Sequence, residues 1–183
     1  MEIKSTPISG LLELTPKVYS DQRGWFLEIF KEPKFQEINA TKYVQDNLSF
    51  SAKGVVRGLH LQLHPLEQAK VVTVIQGKVL DVVVDLRKGS STFGKVYSCE
   101  LSSSNHKLLL IPEGFAHGFS ALEDSYFFYK CSSVYSPQHE TGIRWDDPQL
   151  QIDWRTEKPI LSVKDQGLPT LDELLIKSVI SPR

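Results

Sequence analysis

The sequence predicts an all-β fold, a barrel or double-sheet jelly roll with short helices only at its edges. Three observations carry that prediction. Short runs rich in Val, Ile, Tyr and Phe recur along the chain. Gly, Pro, Asn and Ser, which favour turns, separate them. Helix signals are confined to two places outside the strand-rich middle. Chains with many short strands close or stack their sheets, because a lone sheet leaves edges unpaired and an apolar face bare. At 183 residues, the chain is expected to form one domain over 1–183, with no internal repeat or long linker.

The elements follow in order. Asp21-Gln22-Arg23-Gly24 reads as a turn that feeds a strand over 25–30. A helix is expected to begin near Pro33, whose fixed φ suits a first turn. Strands are expected over 43–47 and 55–62. Residues 71–75, the turn Gln76-Gly77 and residues 78–86 read as a hairpin. Further strands are expected over 96–101, 107–111 and 126–134. Thr170 with Glu173 predicts a capping box before Leu171, Leu174 and Leu175. Within 78–86, Asp81, Val83 and Asp85 share one face, and Leu80, Val82 and Val84 the other. The aspartates read as a solvated outer face beside Arg87 and Lys88. The alternative has them orienting cations of a pocket.

Bulk properties exclude some functions. The 21 basic and 22 acidic residues nearly cancel, so no global field recruits nucleic acid or a membrane surface. Met1-Glu2-Ile3-Lys4-Ser5-Thr6-Pro7 lacks a signal-peptide core, and no run is long enough to span a bilayer. A cytoplasmic protein is expected. Cys99 and Cys131 lie far apart without metal-type spacing and are expected to be buried free thiols, with a disulfide between them as the alternative.

Two stretches carry chemistry. Val56-Arg57-Gly58-Leu59-His60-Leu61-Gln62, with Lys70 beyond it, places an imidazole and two cations on strand-like segments. His60 suits proton abstraction beside a carbonyl, and Arg57 and Lys70 suit phosphate or a developing oxyanion. The second stretch, Pro112-Glu113-Gly114-Phe115-Ala116-His117, reads as a tight turn that aims His117 into a barrel. It resembles the second motif of the cupin superfamily of jelly-roll barrels. The first cupin motif needs a His-x-His pair, and here Gln62 takes the second position, a poor transition-metal ligand. A substitute metal set of His60, His64, Glu67 and His117 can be drawn. On a strand, His60 and His64 would stand roughly 13 Å apart, and Pro65 argues for a loop there. No metal is expected.

The motifs in order resemble the dTDP-4-dehydrorhamnose 3,5-epimerase family. They are Asp21-x-Arg23-Gly24 with Glu28, Gln45-Asp46-Asn47, Arg57-Gly58-Leu59-His60-x-Gln62 and Lys70. Then come Asp81-Val82-x-Val84-Asp85-x-Arg87, Thr92-Phe93-Gly94, residues 112–119 and Tyr129-Lys130. Tyr135-Ser136-Pro137, Trp145-x-Asp147 and Ser162-x-Lys164-Asp165 complete the series. The resemblance implies a cupin-type jelly-roll barrel with short peripheral helices. It implies cofactor-independent epimerisation at C3 and C5 of a dTDP-4-keto-6-deoxyhexose. His60 matches the base, Asp165 its paired carboxylate, Tyr129 the opposite-face acid and Lys70 the cation beside the C4 oxygen, with His117 near the C4 carbonyl. Arg23, Glu28, Arg57 and Lys164 match positions that hold the nucleotide and diphosphate. Gln45, Asn47 and Gln62 would meet sugar hydroxyls, Tyr135 would stack on thymine, and Glu140 would lie on the nucleotide side. The family also implies a homodimer with an exchanged N-terminal segment that lends Arg23 and Glu28 to its partner.

Local readings stand beside these. Tyr129 shares a face with Phe127 and Cys131, as a packed residue would, and Asp165 sits in turn-like Lys164-Asp165-Gln166-Gly167. Lys70 reads as a strand-end lysine and His117 as a turn histidine. Trp154-Arg155 stands where the family commonly has Trp-Pro, and Trp25 where it has Phe. The rival functions are a C3-only epimerase and a non-catalytic nucleotide-sugar-binding cupin.

Overall fold

The computed structural model describes residues 1–177 and 180. Strands β1 (Glu2–Ser5), β2 (Leu12–Thr15), β3 (Val18–Asp21) and β4 (Gly24–Leu27) lead into helix α1 (Glu32–Asn39). Then follow β5 (Gln45–Ser51), β6 (Val56–Gln62), β7 (Lys70–Gln76), β8 (Lys78–Asp85), β9 (Val96–Ser102), β10 (Leu108–Ile111), β11 (Phe115–Ala121), β12 (Ser125–Cys131) and β13 (Glu140–Gly142). Two short helices, α2 (Val163–Gln166) and α3 (Leu171–Ile176), come last.

The strands form a six-stranded sheet ordered β1-β2-β10-β7-β12-β5 and a five-stranded sheet ordered β13-β6-β11-β8-β9, and β3 and β4 make a separate two-stranded arm. The strand ladders are antiparallel. The two large sheets stack as a jelly roll, as the strand pattern predicts.

Period-2 alternation assigns the layers. Val72, Val74, Leu109, Ile111 and Phe127 of one sheet meet Val79, Val83, Phe115 and Phe119 of the other, filling the barrel. The opposite face of the five-stranded sheet, with Leu80, Val82 and Val84, is covered by Ile143, Leu150, Trp154, Leu171 and Leu174. Helix α1 lays Phe35 on Leu14, Val71 and Leu108 of the six-stranded sheet. It begins as Pro33 predicts, and α3 carries the predicted Thr170–Glu173 capping box.

Three expectations need correction. The predicted 71–86 hairpin does not form, because β7 and β8 lie in different sheets. Gly77 turns the chain from one sheet to the other, at φ +86°, where a Cβ would sit 2.2 Å from the Asp124 carbonyl oxygen. The two-residue connection looks like a hairpin turn, but Ser125 Oγ accepts from Lys78 N and ties the corner to β12 instead. The aspartate pair is not on a solvated face, because both Asp81 and Asp85 are fully buried and point into the barrel with Val79 and Val83. Both faces of β8 are covered, so its alternation separates two interiors. The third correction concerns His117, which lies within strand β11 rather than in a turn. The turn is confined to residues 112–114.

Asp85 explains two of the sequence motifs as loop anchors. Its carboxylate accepts from Arg87 Nε at 2.9 Å, Arg87 Nη2 at 2.8 Å, and the Ser90 and Thr92 hydroxyls at 2.6 Å each. Burial raises its pKa, but these donors outweigh burial and hold it well below the ordinary value.

Candidate active site

A cleft of about 270 Å³ opens between the two sheets. His60 and Arg57 come from β6 and His117 from β11, all of the five-stranded sheet. Lys70 from β7 and Tyr129 from β12 come from the six-stranded sheet. The period-2 pattern thus brings an imidazole and a phenol to opposite walls of one cavity. Phe119 and Phe127, stacked with centroids 4.3 Å apart, form an apolar part of its lining. Ser162, Lys164 and Asp165 approach from the C-terminal segment.

The close pairing of β6 and β11 places the two histidines as register partners, His117 opposite His60. A register shift follows at once, and Gly58 and Gly118 meet there. A Cβ on Gly58 would fall 2.6 Å from Gly118 Cα, so only glycine permits the approach.

His60 Nε2 lies 2.5 Å from Asp165 Oδ1. Asp165 is not a loose turn residue. It occupies α2, whose N-cap Ser162 accepts from the Asp165 amide at 3.0 Å. The carboxyl is 3% exposed. Burial raises its pKa, but the hydrogen bond and charge of His60 prevail and lower it below the ordinary value. An ionised carboxylate on one ring nitrogen fixes the tautomer, leaves the other nitrogen its lone pair and stabilises the imidazolium formed on protonation.

Lys70 is buried and has no ion-pair partner within 4 Å among the described residues. Burial lowers its pKa from the ordinary lysine value, opposed by the charges of Cys131, Glu140 and Asp81. Burial also raises the pKa of the Tyr129 phenol. Such a phenol keeps its proton at neutral pH and suits a general acid. Tyr129 packs beside Phe127, as its local reading expects, while also lining the cleft.

The binding candidates divide. Lys164 and Arg57 line the cleft, and Arg57 is steadied by Ser51 Oγ at 2.9 Å and the Phe50 carbonyl at 3.0 Å. Beside the cleft, Glu140 accepts from the Tyr135 hydroxyl at 2.6 Å and from Lys164 Nζ. Burial raises the Glu140 pKa, but these donors win and lower it overall. Gln45 donates to Asn47 Oδ1 at 3.0 Å and accepts from the Tyr135 amide at 2.8 Å.

Gln62 requires reassignment. It is 4% exposed and donates to the Leu66 and Val134 carbonyls while accepting from the Ser136 amide. Its amide is consumed by tying loops together, so it does not present itself to a sugar hydroxyl. Arg23 and Glu28 do not join the cleft of their own chain. Arg23 pairs with Asp21 at 2.6 Å and Glu28 with Lys34 at 3.6 Å, both exposed. His64 and Glu67 pair with each other at 3.2 Å in a loop, as Pro65 suggests, apart from His60 and His117. Among the described residues, no three His, Cys, Asp or Glu side chains gather as metal ligands would. Cys99 and Cys131 are both free thiols, Cys131 buried and Cys99 only partly.

Sequence reasoning missed Asp81 as a site residue. Its Oδ2 lies 2.9 Å from His117 Nε2, while its buried Oδ1 has no hydrogen-bond partner among the described residues. The signal lies in the period-2 pairing of Asp81 with Val83 and Asp85, which the sequence reads first as a solvated face and, as the alternative, as carboxylates orienting cations of a pocket.

A family model described as dTDP-4-dehydrorhamnose 3,5-epimerase matches residues 5–173. The dTDP-4-dehydrorhamnose 3,5-epimerase of Shigella flexneri is 48% identical over 168 residues, 90% of this chain and 93% of that protein. The crystal structure of dTDP-4-dehydrorhamnose 3,5-epimerase from Elizabethkingia anophelis matches with TM-score 0.90 and 43% identity, covering 94% of this chain and 97% of that one. A structure of dTDP-6-deoxy-D-glucose-3,5-epimerase from Legionella pneumophila in complex with dTDP-4-keto-L-rhamnose matches with TM-score 0.93 and 42% identity, covering 100% and 98%.

Proposed function

This chain belongs to the dTDP-4-dehydrorhamnose 3,5-epimerase family, and on that premise we propose that His60 and Tyr129 carry its two proton transfers from opposite walls of the cleft. It is an isomerase with a cupin-type jelly-roll fold. Its reaction is epimerisation at C3 and C5 of a dTDP-linked 4-keto-6-deoxyhexose.

The C4 ketone acidifies the hydrogens on both neighbouring carbons. His60 takes the proton, and Asp165 stabilises the imidazolium. The electron pair left behind moves onto the C4 oxygen, where Lys70 and His117 meet the negative charge. Tyr129 returns a proton to carbon from the other face, and the centre is inverted. The sequence repeats at the second carbon. Solvent reprotonates Tyr129 and deprotonates His60 between rounds. Proton loss and gain balance and no electron leaves the sugar, so these side chains supply every step without a redox partner. The carrying observation is His60 on one sheet, paired with Asp165 of α2, across one cavity from a phenol on the other sheet.

Arg57 and Lys164 line the cleft, which supports their holding the diphosphate, because cations pair with phosphate oxygens. Tyr135, half exposed beside Glu140, offers a ring face to the thymine. Arg23 and Glu28 sit in exposed ion pairs and do not line their own cleft, which supports a homodimer in which the β3–β4 arm serves the partner. The arm's exposed Trp25 and Phe26, with Leu48 and Phe50 on β5, supply apolar surface for such an exchange. The free thiols favour a reducing, cytoplasmic setting, which activity confined to another cell fraction would contradict.

In heavy water, solvent deuterium is expected at both C3 and C5 of the sugar. Label at C3 alone contradicts the two-centre reading and favours the C3-only rival. The same active preparation is expected to sediment as a dimer, and full activity in a monomer contradicts the exchanged arm.

A further inference from the structure

We propose that Asp81 is a positioning residue that fixes the His117 ring and adds to the negative charge around Lys70. The proposal rests on the reading of this cleft as the epimerase site. Three geometric facts carry it. His117 Nε2 lies 2.9 Å from Asp81 Oδ2, within hydrogen-bond distance. Phe127 stacks on the same imidazole, 24° from parallel, and sets its plane. The second oxygen, Oδ1, is buried and unpartnered among the described residues.

An unpartnered buried carboxylate oxygen is costly, and structural aspartates normally fill both oxygens. Asp85, two residues further along the same face, does so with Arg87, Ser90 and Thr92. Asp81 spends one oxygen on His117 and leaves the other buried and unfilled among the described residues. Cys131 and Glu140 also act on Lys70, so Asp81 is one of several groups that offset its burial. Two donors aimed at one developing oxyanion would repel each other without an anion behind them.

Burial drives the Lys70 pKa down, and the Asp81 charge pulls it back up. Burial drives the Asp81 pKa up, opposed by His117 and Lys70. The other titratable groups around the pair are Cys99 on β9, Cys131 and Tyr129 on β12, and Glu140 on β13. The sign is then fixed. Removing the Asp81 charge lets Lys70 lose its proton at lower pH, so activity that needs the ammonium falls away earlier as pH rises.

Asp81→Asn keeps an acceptor for His117 and removes the charge, whereas Asp81→Ala removes both. For Asp81→Asn we expect kcat to fall about tenfold to 100-fold, the range seen when carboxylates that orient metal-bound imidazoles are lost. KM should change less than kcat, the alkaline limb of the kcat profile should move to lower pH, and Asp81→Ala should be slower still. A folded Asn variant with an unmoved limb and unchanged kcat overturns the proposal. If the variants do not fold, the wild type decides through ¹⁵N-histidine NMR. A His117 that carries a proton on Nε2 supports Asp81 as its fixed acceptor, and one whose Nε2 is bare overturns it. Wild-type enzyme that exchanges no proton with solvent is a separate failure, which overturns the epimerase reading and this proposal together.

Discussion

His60→Ala is expected to abolish deuterium wash-in at both C3 and C5 while substrate affinity stays largely intact. A positioned general base contributes about 10²–10⁴-fold, and the cleft's other imidazole, His117, is held by its own carboxylate, Asp81, and is assigned to the C4 oxygen. The loss should therefore reach about 10³-fold or more in exchange rate at each carbon. Alanine also strands Asp165, which is 3% exposed and would lose its ring partner. His60→Asn, which can still donate to that carboxylate, separates lost chemistry from lost packing. Both variants should bind the dTDP-sugar in a titration and release no label. Exchange at either carbon near the wild-type rate would remove His60 from the base role.

Tyr129→Phe is expected to split the reaction in half. The ring keeps its packing on Phe127, so the fold and the cleft should persist. Proton removal needs only His60, so solvent deuterium should still enter the sugar. Return of the proton from the opposite face loses its donor, so inverted product should form about 10²–10⁴-fold more slowly. Isotope analysis and product analysis of the same sample read the two halves separately. Normal turnover by the Phe variant would mean that another group is the acid.

How much of this was legible depended on the range of each signal. Alternation along a strand is local, and it correctly placed His60, Lys70 and Tyr129 on strands and gave the all-β class. The partner of a strand is not local. Gln76-Gly77 has hairpin chemistry, yet the chain crosses between sheets there, because the Ser125 hydroxyl and Asp124 carbonyl of a distant segment hold Gly77 and Lys78. The same limit explains Asp81. Alternation showed that it shares a face with Val83, but only the C-terminal cover over Leu80 and Val82 reveals that both faces of β8 are interior.

Asp165 shows the complementary case. Locally it looks like a turn, and nothing within ten residues announces a partner. Its role became visible through the family's motif order and then through a contact spanning more than half the chain. Gln62 went the other way. Its motif position suggested a sugar contact, whereas burial and three hydrogen bonds to backbone commit it to the loops at 66, 134 and 136. Arg23 and Glu28 were legible only through the family's motif order, and the structure leaves them in exposed pairs outside their own cleft.

The central claim is that base and acid address opposite faces of one sugar ring. A crystal structure of His60→Asn with a dTDP-4-keto-6-deoxyhexose bound tests it most directly. The account predicts residue 60 facing one side of C3 and C5, Tyr129 facing the other, and the C4 oxygen beside Lys70 and His117. A ring with residue 60 and Tyr129 on the same face, or with its C4 oxygen turned away from Lys70, would contradict it.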